Sequence, residues 1–222
     1  MHSSETPAPW NTEKISENAK GILFVISGPS GVGKTSIIRS VLERVDRVVF
    51  SVSCTTRKQR PGEIHGVDYY FITHEEFEKM IEEQKFIEWA KVHDNYYGTP
   101  AEMVYENINK GIDVILDIDV QGALTVKKNF SGAKFVFVAP PSYSVLRERL
   151  KKRGTETEDK IQRRLDTARK ELLHIPEFEY LIINEDLEES IRNLSSIIFA
   201  ERLKYERLRD TIKVNKLFEE VR

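Results

Sequence analysis

From Gly21 onward, short apolar runs alternate with segments whose apolar residues recur three or four apart. Ile22 to Ile26 is a strand-sized apolar run, and it passes through a glycine-rich turn into Thr35 to Val45. There Ile37, Ile38, Val41, Leu42 and Val45 fall at helical spacing. Val48 to Val52 reads as a second strand. The regularity then breaks in Thr55 to Gly66, a polar, basic stretch containing Pro61-Gly62, which reads as a long loop of the kind that carries function. Val67 to Ile72 is β-prone. Thr73-His74-Glu75-Glu76 fits a capping box that opens a short helix with Phe77, Met80 and Ile81. Phe86 to Val92 predicts a strand and Asn95 to Pro100 an aromatic turn. Beyond it the alternation resumes, with a helix from Ala101 to Lys110 stopped by Gly111, a strand Val114 to Leu116 and a helix from Gly122. A strand Phe135 to Val138 ends at Pro140-Pro141, and helices follow over Tyr143 to Lys152 and Glu158 to Leu173. After a strand Tyr180 to Ile183, a last long helix sets Ile191, Leu194, Ile198 and Leu208 on one face.

Strands alternating with helices predict an α/β fold, a parallel sheet covered on both faces, with ligands at the carboxyl ends of its strands. Residues from about 54 to 99 differ in texture and read as a small insertion. The 222 residues suit one large domain or two small ones. A formal charge of −2 gives no global field for a nucleic-acid polymer, although it leaves local clusters open. Cys54 is the only cysteine, so no intrachain disulfide or cysteine-rich zinc site is available, and a reduced, cytoplasmic setting is expected. No apolar run approaches the roughly 20 residues that span a bilayer. Residues 1 to about 20 lack the apolar core of a signal peptide and read as a flexible extension.

The chemistry begins at Gly28-Pro29-Ser30-Gly31-Val32-Gly33-Lys34-Thr35. Glycines at this spacing let backbone N–H groups curl around phosphate oxygens while the following helix presents its positive end. Lys34 supplies a cation for the β- and γ-phosphates, and the Thr35 hydroxyl can ligate Mg²⁺. The apolar strand Val114-Ile115-Leu116 ends in Asp117, which places a carboxylate where it can reach the metal's water shell. Asp119-Val120-Gln121-Gly122 matches the Asp-x-x-Gly of GTPase switches, but the Asn-Lys-x-Asp that reads guanine in GTPases is missing.

Several blocks in order resemble the guanylate kinase family. They are Gly28 to Thr35, Ser51 to Arg57 continuing through Arg60-Pro61-Gly62-Glu63, Phe86-Ile87-Glu88-Trp89, Asn95 to Thr99, Leu116 to Gly122, and Arg153-Gly154-Thr155-Glu156 reaching Arg164. The resemblance implies a single domain over residues 21–222, with a P-loop kinase core (21–53 and 100–222), a mixed α/β GMP-binding insertion and a short helical lid near 150–165. It implies transfer of the γ-phosphoryl of Mg·ATP to GMP, with Mg²⁺ as cofactor, GMP and ATP as small-molecule partners, and neither a nucleic-acid polymer nor a membrane. Arg57 and Arg60, with the Tyr69 and Tyr97 hydroxyls, resemble the clamp on the GMP phosphate, a task suited to the guanidinium fork. Glu88 resembles the guanine reader, and Ser53, Thr99 and Asp119 the other base or ribose contacts. Arg153 and Arg164, with Arg149 beside them, resemble lid arginines that approach the transferring group, and Asn184 sits where the family contacts adenine. The rival implied by the same resemblance is a guanylate-kinase-like binding module without catalysis. The oligomeric state stays open.

Overall fold

The computed structural model describes residues 19–92, 94–152, 158–209 and 212–221. The extension expected over residues 1–20 lies almost wholly outside these, as does Arg153. In chain order the elements are β1 (Leu23–Ser27), α1 (Lys34–Arg44), β2 (Val48–Phe50), β3 (Cys54–Thr55), β4 (Tyr70–Phe71), α2 (His74–Glu82), β5 (Phe86–Val92), β6 (Asn95–Pro100) and α3 (Ala101–Asn109). There follow β7 (Asp113–Asp117), α4 (Val120–Asn129), β8 (Lys134–Ala139), α5 (Tyr143–Lys152), α6 (Glu158–Leu172), β9 (Tyr180–Ile183), α7 (Leu187–Arg202), α8 (Tyr205–Leu208) and α9 (Ile212–Glu220).

β1 is buried along its whole length because helices cover both of its faces. Phe24 and Ile26 enter one apolar cluster with Ile37, Ile38 and Val41 of α1 and Ile191, Leu194 and Ile198 of α7. Leu23 and Val25 enter another with Val104 of α3 and Ala123 and Val126 of α4. This alternation is the strand period of two read against two helical stripes. Truncating Phe24, fully buried at the centre, to alanine would destabilise the fold by about 3–5 kcal/mol. The five strands run in the order β2-β7-β1-β8-β9, and every pairing is parallel. Their carboxyl ends therefore share one edge, where β1 delivers the loop before α1 and β7 delivers Asp117, paired in register with Ile26.

Residues 54–100 build a second sheet, ordered β4-β3-β6-β5. Asn95 to Pro100, expected as a turn, is strand β6, antiparallel to both β3 and β5. Its Asn, Gly and Pro look like turn residues, yet cross-strand pairing on both sides decides the outcome. The capping box on α2 is present: the Thr73 hydroxyl accepts from the Glu76 N–H, and the Glu76 carboxylate accepts from the Thr73 N–H. Phe77 of α2 stacks on Phe86 and Tyr96, which fixes that helix against the second sheet.

Two helix boundaries differ from the sequence expectation. α4 starts at Val120 because Asp119 caps it, accepting from the Gly122 N–H at 2.8 Å. α7 ends at Arg202, which leaves Leu208 in α8. Glu201 and Arg202 occupy the positions that would extend the apolar stripe; Arg202 is drawn into a buried ion pair with Asp113, and the buried Glu201 carboxylate pairs with the half-exposed Lys204. Among the described residues no helix is long and apolar enough to cross a membrane.

Candidate active site

The loop from Gly28 to Gly33 lies between the buried strand β1 and α1. Gly33, the N-cap of α1, has φ +104°, and a Cβ there would sit 2.4 Å from Asn184 Nδ2, so no other residue fits without a rearrangement. With no capping side chain, the first N–H groups of α1 remain unmatched by any cap, as an anion site requires. The loop is strapped from one side. Asn184 Nδ2 donates to the Val32 carbonyl at 2.7 Å, Ser190 Oγ donates to Asn184 Oδ1 at 3.0 Å, and Arg149 donates to the carbonyls of Val32 and Asn184 at 3.2 and 2.8 Å. The Asn184 side chain is thus occupied in shaping the loop, while its backbone carbonyl accepts from Arg149 and its N–H donates to the Ala139 carbonyl at 2.8 Å.

Lys34 Nζ donates to the Gly28 carbonyl at 2.7 Å and lies 3.6 Å from Asp117 Oδ1. Burial raises the Asp117 pKa, and the Lys34 ammonium opposes that shift. Thr35 is exposed in the first turn of α1. From the far side, α6 brings Arg164 to Ser30, with Nη1 donating to Oγ at 3.0 Å. Seven residues further along that helix, Glu171 is raised mainly by burial, with Lys34 favouring its ionised form and Asp119 opposing it. The sequence reading passed over Glu171, although an i, i+7 spacing from Arg164 sets the two on one helix face.

A cavity of about 230 Å³ opens beside this cradle, lined by Ser53, Tyr69, Glu88, Ala90, Tyr97, Gly98, Asp117, Ile118 and Asp119. Five of the residues expected at the GMP site, Ser53, Tyr69, Glu88, Tyr97 and Asp119, therefore meet around one space. A register irregularity between Phe86 and Glu88 sets Glu88 opposite Thr99. Glu88 is 6% exposed, and its Oε1 accepts from the fully buried Thr99 hydroxyl at 2.6 Å. Thr99 holds the Glu88 carboxylate and is not among the residues lining the cavity. Burial pushes the Glu88 carboxyl up to about 7, helped by the negative charge of Asp119 and opposed by the Thr99 hydrogen bond. The small side chain of Ala90 lines the space, whereas a Cβ at Gly98 would meet Phe77, Phe86 and Trp89 on the other face of the sheet.

Arg57 lies over the Tyr69 ring at 5.5 Å, and Tyr69 meets Tyr97 edge-on. Its guanidinium is held by both oxygens of Glu63, at 2.8 and 3.0 Å, and Glu63 also accepts from the Arg60 N–H at 2.8 Å. This contact holds the Glu63 carboxyl below its usual range. Glu63 was not singled out from sequence. The turn Arg60-Pro61-Gly62-Glu63 returns it to Arg57, with Glu63 N–H donating to the Arg60 carbonyl at 3.1 Å and Gly62 at φ +88°. Arg60 is exposed on that loop, and the structure does not bring its side chain into the cavity. Cys54 is buried and its thiol is pushed up to about 11, which makes it an inert neighbour of the site.

The family model described as guanylate kinase matches residues 20–201. A guanylate kinase of Thermotoga maritima is 56% identical over 198 residues, covering 89% of this chain and 96% of its relative. One from Caldanaerobacter subterraneus subsp. tengcongensis is 46% identical, covering 88% and 95%. Among solved structures, the crystal structure of guanylate kinase from Anaplasma phagocytophilum aligns with a TM-score of 0.74 at 34% identity, covering 91% of this chain and 95% of that one. With a cradle for phosphates, a base-sized cavity ending on a buried carboxylate and matches running through both, this chain belongs to the guanylate kinase family.

Proposed function

We propose that the chain transfers the γ-phosphoryl group of ATP to the 5′-phosphate of GMP, giving GDP and ADP. One observation carries the reading: Asp117 lines the 230 Å³ cavity and also stands 3.6 Å from Lys34 of the phosphate cradle. A donor phosphate in the cradle and an acceptor in the cavity would meet at that carboxylate.

The acceptor is a phosphate oxygen, already largely ionised near neutral pH, so no strong general base is needed. The task is to hold two anions together. Lys34 and the N–H groups at the start of α1 receive the donor phosphates, and Arg57, Tyr69 and Tyr97 stand on the acceptor side. Arg57 is loaned to Glu63 without ligand, and a phosphate accepts the same bidentate fork. Arg60 would join from its exposed loop, and Arg164 would turn from Ser30 toward the transferring group, with Arg153 as its proposed companion. The Thr35 hydroxyl is a hard oxygen donor that would hold Mg²⁺, and the Asp117 carboxylate would hold it through a bound water. Bound there, Mg²⁺ would neutralise charge on the phosphates. In the cavity, ionised Glu88 would accept from the ring N–H and exocyclic amine of guanine, a pair of donors that adenine, whose ring N1 carries no proton, cannot supply. Ser53 and Asp119 complete the base and ribose side. We also propose the cytoplasm as its setting. The non-catalytic alternative has no observation in its favour, since Lys34, Asp117 and Arg164 converge on the cradle.

The test is ADP release from Mg·ATP in the presence of GMP, AMP, CMP or UMP. Turnover with GMP well above the other three is expected. Absence of turnover with GMP would overturn the proposal.

A further inference from the structure

Gly122 is a buried residue in the first turn of α4, and its backbone lies in the ordinary helical region. Nothing in its conformation calls for glycine, and helices prefer alanine. What its missing side chain leaves is space against the base reader. A Cβ at this position would lie 3.1 Å from Glu88 Oε2, 3.4 Å from Ile118 Cδ1 and 3.5 Å from Asp119 Oδ1. The first distance is tighter than ordinary van der Waals contact, so the carboxylate would have to give by a few tenths of an ångström. Glu88 has little freedom to do so. Its Oε1 is held by Thr99 at 2.6 Å, and Oε2 is the oxygen that rests against Gly122. The contact also joins the two parts of the molecule, since Glu88 belongs to the second sheet and Gly122 to a helix packed on the first.

We propose that Gly122 is a specificity-determining position for the nucleobase: lacking a side chain, it lets the Glu88 carboxylate sit at the depth and tilt from which both oxygens can accept from guanine. The proposal rests on the GMP phosphotransferase reading above. A methyl group would move the acceptor oxygens by a few tenths of an ångström, and since a 1 Å misplacement can cost about a hundredfold, a shift of that size should cost about tenfold. The cradle is untouched by this change, so the donor side should not respond.

The experiment compares Gly122→Ala with the unmutated chain in steady-state kinetics and thermal unfolding, and repeats the substitution in a Glu88→Gln background. The expected result is a KM for GMP raised about tenfold, kcat and the KM for ATP nearly unchanged, and a Tm no lower than that of the parent. In the Glu88→Gln background the same methyl should add less than about twofold, because the group through which it acts has already been altered. An unchanged KM for GMP, an undiminished effect in that background, or a lower Tm with both KM values raised would overturn the proposal while leaving the phosphotransferase reading intact. Failure of the unmutated chain to phosphorylate GMP would overturn that reading, and this inference with it.

Discussion

Two buried carboxylates face opposite ends of the five-stranded sheet, Asp113 on its own strand β7 and Glu88 on β5 of the second sheet. At the amino edge Asp113 is 2% exposed, and both of its oxygens are occupied: Oδ1 accepts from the Ile22 N–H and Oδ2 from Arg202 Nε, each at 2.7 Å. Arg202 in turn donates to the Asp46 and Arg47 carbonyls, so a closed network pins α7 to the start of β1 and β7. At the carboxyl edge Glu88 is 6% exposed but has one neutral hydroxyl as its side-chain partner and opens on a cavity shared with Asp119. Burial raises the pKa of both acids. Burial and a perturbed pKa therefore do not separate structure from function in this molecule. The separation comes from whether the charge is already compensated, because an uncompensated buried acceptor is costly until a ligand supplies its donors.

The comparison breaks most sharply under Glu88→Gln. Loss of the carboxylate should lower kcat/KM for GMP about a thousandfold, roughly 4 kcal/mol, and narrow the preference over AMP. Stability should move the other way. A folded pKa of about 7 against 4.5 for the ordinary carboxyl means that stability present below the unfolded pKa is lost as pH rises through the folded one. Above pH 7 the ionised Glu88 carboxylate thus carries a penalty of about 3 kcal/mol, and Glu88→Gln should unfold at the same or a higher temperature than the parent at pH 8. Asp113→Asn should do the reverse, destabilising the fold by about 3 kcal/mol in denaturant titrations because Arg202 is left buried without its anion, with KM for GMP unchanged in the folded fraction.

Smaller effects sharpen the contrast. Below a pH of about 7 the KM for GMP should rise toward tenfold per unit as Glu88 takes up its proton, beyond the change in KM for ATP over the same range. Thr99→Val removes the hydroxyl that favours the ionised form. It should shift that midpoint upward and raise the KM for GMP about fivefold at neutral pH, in line with the loss of roughly 1 kcal/mol for one hydrogen bond.

Features that depend on neighbours in sequence were legible before the structure. The octet from Gly28 to Thr35, the α2 capping box and the alternation that makes β1 the buried centre all follow from local chemistry. Asn95 to Pro100 was misread as a turn because its strand character comes from partners on both sides. The Asp113–Arg202 pair joins residues 89 positions apart, and the approach of Gly122 to Glu88 depends on how a helix of one sheet layer meets a strand of the other. Thr99 is expected among the base or ribose contacts, and its hydroxyl donates to Glu88, a contact that only the cross-strand register between β5 and β6 reveals. The resemblance named the residues around the cavity, and the geometry distinguishes those that face it from those that hold the others in place.

The proposed activity requires Glu88 to meet guanine as an anion, and proton linkage reads this directly. Calorimetric titration with GMP at pH 7, repeated in two buffers of different ionisation enthalpy, measures protons released on binding. With a free-enzyme midpoint of about 7, the unmutated chain should release about half a proton more than Glu88→Gln, since half of the carboxyls start protonated. The difference cancels any contribution from the substrate phosphate. Equal release by the two proteins would contradict the account.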